Sequence, residues 1–143
     1  MVDLDWRNIG FGYVKTKFNI RCEYHDGRWG EPYLTAHEYI PMHIAATSLH
    51  YGQEVFEGAK AFRGVDGKVR VFRIEENARR MKASADYLLM AAPDEDLFIG
   101  MVEKVIRANI DYLPPYGTDA SLYIRPLLIG TTAEVGVKTA LDY

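Results

Sequence analysis

Between Phe18 and Tyr24 apolar and polar residues alternate: Phe18, Ile20, Cys22 and Tyr24 against Asn19, Arg21 and Glu23. A period of two sends one set to a buried face and the other to water, so this stretch predicts an antiparallel strand covered on one side. Asp26-Gly27 follows, a dipeptide suited to the positive φ angles of a tight hairpin, and leads to a second strand near Trp29. The device recurs at Asp66-Gly67, which joins Ala59–Arg63 to Val69–Phe72. Two such hairpins favour an antiparallel sheet over parallel βαβ units.

The period then lengthens. Ile74, Ala78, Met81, Ala85 and Leu88 recur at helical spacing and give one core-facing stripe, with Asn77, Arg80, Ser84 and Tyr87 on another face. A second helix is predicted from about Asp94 to Tyr112. Pro93 precedes it, and Asp94, Glu95 and Asp96 place negative charge at the positive end of its dipole. Leu97, Phe98, Met101, Val102, Val105, Ile106 and Ile110 form its apolar side, and Pro114-Pro115 end it. Ser121–Ile129 reads as an apolar strand interrupted by Arg125-Pro126. The fold class expected is α+β, a two-layer domain with an antiparallel sheet and helices packed on one side.

One stretch follows neither period. From Ser48 to Gly64, apolar, aromatic and ionisable residues crowd together around Gly52, Gly58 and Gly64. Such wording is expected where a site as well as packing sets the sequence.

Composition removes several function classes. The 143 residues suffice for one domain with a real core, and 48% hydrophobic with 26% charged residues is the balance of a soluble globular protein. A net charge of −3 supplies no basic stripe for nucleic acid or an anionic membrane. No run approaches the roughly 20 apolar residues of a membrane-spanning helix, and the first residues lack the pattern of a signal peptide. Cys22, the only cysteine, can form neither an internal disulfide nor a cysteine zinc site, so a cytoplasmic location is expected. His25, His37, His43 and His50 lack metal-ligand spacing, and no P-loop, dinucleotide fingerprint or nucleophile elbow occurs.

The aperiodic stretch, with Leu49-His50-Tyr51-Gly52-Gln53, Phe56-Glu57-Gly58 and Lys60-Ala61, resembles a segment of the branched-chain amino acid aminotransferases. These are pyridoxal 5'-phosphate enzymes of the D-amino-acid aminotransferase fold, fold type IV. Two more stretches resemble the family in the same order: Phe72-Arg73 with Asn77 and Arg80-Met81, and Ser121-Leu122-Tyr123-Ile124-Arg125-Pro126. The resemblance runs from about Gly10 to Tyr143. It implies that residues 1–143 are the N-terminal, smaller domain of a two-domain homodimeric enzyme that exchanges an amino group between leucine, isoleucine or valine and 2-oxoglutarate or glutamate. The Schiff-base lysine would lie in a C-terminal domain absent from this chain. Residues 1–143 alone are then expected to be inactive and to self-associate through an uncovered apolar face.

The resemblance also assigns residues. Arg80 would bind the cofactor phosphate, a task suited to a guanidinium fork; on periodicity alone it is an exposed helix arginine. Tyr51 would place its hydroxyl near the substrate carboxylate, while Phe11 and Phe56 would line the side-chain pocket; each could equally be a core aromatic. Tyr123 would join that pocket, and Arg125 would receive the second carboxylate of glutamate; a structural ion pair is the alternative for Arg125. Val135 and Val137, in Thr131–Val137, would touch the substrate in the partner subunit's site. His50 would brace the site. Lys60 matches a structural lysine, so no catalytic residue is expected in this chain. Ile74 stands where many members carry proline. Two other readings stay open: a D-amino-acid aminotransferase or aminodeoxychorismate lyase relative, and a non-catalytic binding module of the same fold.

Overall fold

A computed structural model of the protein describes residues 1–10 and 12–143. The strands are β1 (Asn19–Arg21), β2 (Tyr24–His25), β3 (Arg28–Trp29), β4 (Tyr33–Thr35), β5 (Glu54–Phe56), β6 (Ala59–Arg63), β7 (Val69–Val71), β8 (Leu122–Ile124) and β9 (Leu127–Ile129). The helices are α1 (Thr47–Tyr51), α2 (Ile74–Tyr87) and α3 (Glu95–Ala108), with a 3₁₀ turn at Ile110–Tyr112. The fold is α+β, and every strand pairing described is antiparallel. The expected single sheet is instead four small ones: β1-β4, β2-β3, β5-β9 and β7-β6-β8. Among the described residues no helix is long and apolar enough to cross a membrane.

Three local differences from the sequence expectations have physical causes. The strand expected from Phe18 to Tyr24 breaks at Cys22-Glu23, where Glu23 O accepts the Gly30 amide at 2.8 Å and Cys22 Sγ meets Gly30 O at 3.1 Å. β1 therefore pairs with β4, whereas β2 turns through Asp26-Gly27, both at positive φ, into β3. The second helix stops at Ala108 rather than Tyr112. Buried Asn109 leaves helical geometry and acts like a peptide group towards Phe18: its Oδ1 accepts the Phe18 amide at 3.0 Å and its Nδ2 donates to Phe18 O at 2.9 Å. Those bonds anchor the start of β1 to the end of α3. Leu88, expected on the core stripe of α2, is the exposed C-cap. Leu89 takes the left-handed conformation at φ 57° in a Schellman turn, and Met90 amide donates to Ala85 O at 2.8 Å, so Met90 fills the core position instead.

α2 begins at Ile74 without the proline, after Arg73 in the left-handed region at φ 48°. α3 is capped as the sequence suggests, with the Asp94 carboxylate accepting the Leu97 amide at 2.8 Å. Phe98, Val102 and Ile106, one helical turn apart, face Met81 and Ala85 of α2, with Ala61, Leu113, Ile124 and Leu128 completing the core.

The stretch that looked aperiodic has a period after all. Gln53, Val55, Glu57, Ala59 and Ala61 are each 8% exposed or less, while Glu54, Phe56, Gly58, Lys60 and Phe62 between them face outwards. The alternation of a strand runs unbroken through β5 and β6. It is invisible in the sequence because two inward positions are polar and two outward ones are phenylalanine. Gln53 uses its burial: Oε1 accepts the Ala140 amide at 2.9 Å and Nε2 reaches Leu88 O at 3.4 Å. Gly130 passes beside it so closely that an added Cβ would meet Thr47 Oγ1, Ala140 Cβ at 3.0 Å and Gln53 Oε1 at 3.1 Å. Gly130→Ala should lower stability by about 1–3 kcal/mol in urea unfolding. Thr47→Ala in the same chain should recover part of the loss, because Thr47 Oγ1 has no hydrogen-bond partner among the described residues.

Candidate functional site

The turn from β5 into β6 is Phe56-Glu57-Gly58, and each residue addresses a different polar side chain. Glu57 points inward, so its carboxylate must be paired to be tolerated. Arg80 of α2 supplies the fork, with Nε donating to Oε1 at 3.0 Å and Nη2 to Oε2 at 2.7 Å. Asn77, one turn earlier, donates from Nδ2 to Oε2 at 2.8 Å and to Gly58 O at 3.0 Å. The sequence reading put Asn77 with Arg80 on a face other than the core-facing stripe; it is nevertheless buried, bonded to Glu57. Burial pushes the Glu57 carboxyl up, yet the hydrogen bonds from Arg80 and Asn77 outweigh this and hold it below the usual carboxylate range. The Arg80 side chain remains 61% exposed, and its Nη1 donates to no protein group among the described residues.

Phe56 points the other way. Its ring lies 4.4 Å beneath the Arg125 guanidinium carbon, a cation–π contact. Arg125 follows β8, and its Nε and Nη2 donate to Tyr123 Oη at 3.2 and 2.8 Å. The ion pair considered for Arg125 is therefore not what holds it: it is stacked on one aromatic and bonded to another. Gly58 completes the set, since a Cβ there would lie 2.5 Å from Tyr123 Oη. Lys60 stands opposite Tyr123 across the β6–β8 ladder, outward and without an ion pair among the described residues. Lys60, Arg73, Arg80, Asn77 and Tyr123 border one cleft of about 420 Å³. Its cations outnumber its carboxylates: Lys60, Arg73 and Arg80 against Glu76, which pairs Arg73 at 3.2 Å, and Glu57.

Tyr51, Val135 and Val137 form a separate group. α1 ends at Gly52 in the left-handed conformation, φ 62°, and the Tyr51 hydroxyl donates to Val135 O. The loop is fastened along its length: Ala46 bridges Ala133, Glu134 amide donates to Ala45 O at 3.1 Å, and Glu134 carboxylate accepts Gly136 amide at 2.9 Å. The Gly136 amide, together with Lys138 at 3.3 Å, lowers the Glu134 carboxyl below its ordinary range. Val135 and Val137 are left 67% and 87% exposed at the tip. His50 braces the preceding segment, its Nε2 3.0 Å from Ile44 O. Phe11 lies outside the described residues.

A larger cleft, about 770 Å³, runs between β1 and α3 and takes in Tyr123 and Arg125 at one end. Among the described residues no cluster of histidine, cysteine or carboxylate could hold a metal ion. Glu57, the residue that binds the motifs together, was missed in the sequence. A carboxylate between a phenylalanine and a glycine, in register with buried Val55 and Ala59, was the signal for it. Gly58→Ala should cost little stability, under about 1 kcal/mol, because the Tyr123 ring is 44% exposed and can swing away. It should nevertheless separate the Tyr123 hydroxyl from Arg125, seen as a changed Arg125 side-chain resonance, and Tyr123→Ala should abolish the effect of Gly58→Ala.

No protein-family model matches the chain. Over all 143 residues it is 46% identical to the branched-chain-amino-acid aminotransferase of Haemophilus influenzae, of which it spans 42%. It is 43% identical over 141 residues, 99% of its length, to the enzyme of that name from Helicobacter pylori, again spanning 42%. Among solved structures, a branched-chain amino acid aminotransferase complexed with N-(5'-phosphopyridoxyl)-L-glutamate superposes with a TM-score of 0.62 at 26% identity, over 87% of this chain and 37% of that one. The branched-chain aminotransferase of Thermoproteus uzoniensis with norvaline gives a TM-score of 0.59 at 26% identity, over 83% and 36%. The chain thus spans about two-fifths of the length of the curated relatives it matches. Throughout its length, this chain is a homologue of the N-terminal part of the branched-chain-amino-acid aminotransferases.

Proposed function

We propose that residues 1–143 serve as the N-terminal, smaller domain of a pyridoxal 5'-phosphate-dependent aminotransferase acting on leucine, isoleucine or valine with 2-oxoglutarate. The observation that carries this reading is the match over the whole chain to proteins named branched-chain-amino-acid aminotransferase, 46% identical in one case. The residues present fit the cofactor. Arg80 offers a free Nη1 in a cleft of net positive charge, and a phosphate needs such a donor set. When bound, pyridoxal phosphate supplies the electron sink for chemistry at the substrate α-carbon.

This chain's part is to bind and orient. Arg80 holds the phosphate. Phe11 and Phe56 give the branched side chain an apolar wall, whose burial contributes about 1.5–3 kcal/mol. Tyr51 and Tyr123 place hydroxyls at the polar edge. Arg125, its guanidinium carbon 4.4 Å from the centre of the Phe56 ring, keeps Nη1 free of protein partners among the described residues, so a second carboxylate can dock there while an aliphatic group rests on the ring. One pocket would thereby take both leucine and glutamate. The exposed tip carrying Val135 and Val137 fits a homodimer in which it closes over the other subunit's site. The Schiff-base lysine is supplied from outside these residues, and the enzyme works in the cytoplasm.

The protein carrying this chain, purified with pyridoxal phosphate, should transfer the amino group of L-leucine, L-isoleucine and L-valine to 2-oxoglutarate. Turnover of D-alanine with none of L-leucine would overturn the reading in favour of a D-amino-acid enzyme. In the same assay Arg125→Ala should raise KM for 2-oxoglutarate about tenfold or more while changing KM for leucine far less. Borohydride reduction of the loaded protein should label no lysine between residues 1 and 143, Lys60 included.

A further inference from the structure

We propose that Glu57 is the positioning residue for Arg80, holding its guanidinium in the one orientation that presents Nη1 to an anionic ligand. The proposal rests on the reading of Arg80 as a phosphate ligand and adds to it a residue that neither touches the ligand nor carries a charge that would attract it.

Three observations support it. Glu57 is 8% exposed and takes both Nε and Nη2 of Arg80, at 3.0 and 2.7 Å. An arginine on a helix surface has several freely rotating bonds, and a two-point contact along one edge of the fork removes most of that freedom before any ligand arrives. The carboxylate cannot follow Arg80 outwards, because Asn77 holds Oε2 at 2.8 Å and is itself fixed to Gly58 O at 3.0 Å. Nor can Arg80 easily leave, since its departure would strand a buried carboxylate. The remaining edge of the fork carries Nη1, and Arg80 lines the cleft that Lys60 also borders.

Charge alone argues for the opposite effect. A carboxylate 2.7 Å from the arginine lowers the local positive potential and should weaken anion binding. Lys60, without an ion pair among the described residues, keeps the cleft net positive although Glu76 offsets Arg73, so geometry rather than potential should dominate. The two views predict changes of opposite sign.

The test uses the full-length protein stripped of cofactor, with Kd measured for pyridoxal phosphate and, by competition, for inorganic phosphate. Thermal unfolding is followed alongside. Glu57→Gln, nearly isosteric, should weaken both ligands by about tenfold. In an Arg80→Ala background it should add nothing further. Tighter binding by Glu57→Gln, or lower thermal stability with unchanged Kd, would overturn the proposal while leaving Arg80 as a ligand. Unchanged binding by Arg80→Ala would overturn the reading of Arg80 and the proposal with it. Should Glu57→Gln fail to fold, Asn77→Ala carries the test. It frees the carboxylate without removing its charge, and should weaken both ligands severalfold; an unchanged Kd would refute the positioning role.

Discussion

A carboxylate inside a protein must be answered by donors, and the one at Glu57 organises much of this chain. Its position is dictated by a strand period that leaves no choice of direction between Val55 and Ala59. Its partners come from α2, so the ion pair and the Asn77 amide stitch the β5–β6 turn to the helix face. A pair with its carboxylate buried and its guanidinium exposed contributes little net stability compared with apolar packing, because desolvation of the carboxylate and solvent screening of the arginine offset the attraction. What it confers is a defined place for an exposed guanidinium. Hydrophobic packing of Met81, Ala85, Phe98 and Val102 brings α2 near the turn, and the carboxylate fixes how one side chain leaves it.

The candidate ligand groups fall into two sets with different supports. Arg80, Phe56, Tyr123 and Arg125 gather on the β6–β8 side, each held by a side chain or ring. Tyr51, Val135 and Val137 gather at the end of α1, where the support is mostly backbone: the Ala46–Ala133 bridge and the Glu134 amide on Ala45 O. The first set is held through its side chains. The second is held through its main chain and presents the exposed side chains of Val135 and Val137. That contrast suits a pocket in which polar groups must be aimed and apolar ones only need to be present.

Much of the fold was legible beforehand, and several of the misses share one cause. α2 and α3 were readable because their apolar residues repeat without interruption, and the hairpin at Asp66-Gly67 because turn chemistry is local. The early end of α3 at Asn109 and the buried state of Asn77 depend on partners far away in sequence, Phe18 and Glu57, and the break at Cys22-Glu23 on Gly30 across the next hairpin. A polar side chain that replaces a backbone partner leaves no periodic trace. The same holds for the site. The wording of the motifs pointed to Arg80, Tyr123 and Arg125, but that Phe56 would be the shelf and Glu57 the brace required the register of two strands.

The unbroken alternation from Gln53 to Ala61 also works as a reading frame. Three neighbouring residues serve three different side chains, on two opposite faces. Deleting or inserting one residue would exchange those faces, turning Phe56 into the core and Glu57 into water. Drift by substitution remains open to this segment; drift in length does not. Evolutionary change in loop size must therefore be taken up elsewhere, as at the exposed Asp66-Gly67 turn, whose residues touch none of the groups gathered around the cleft.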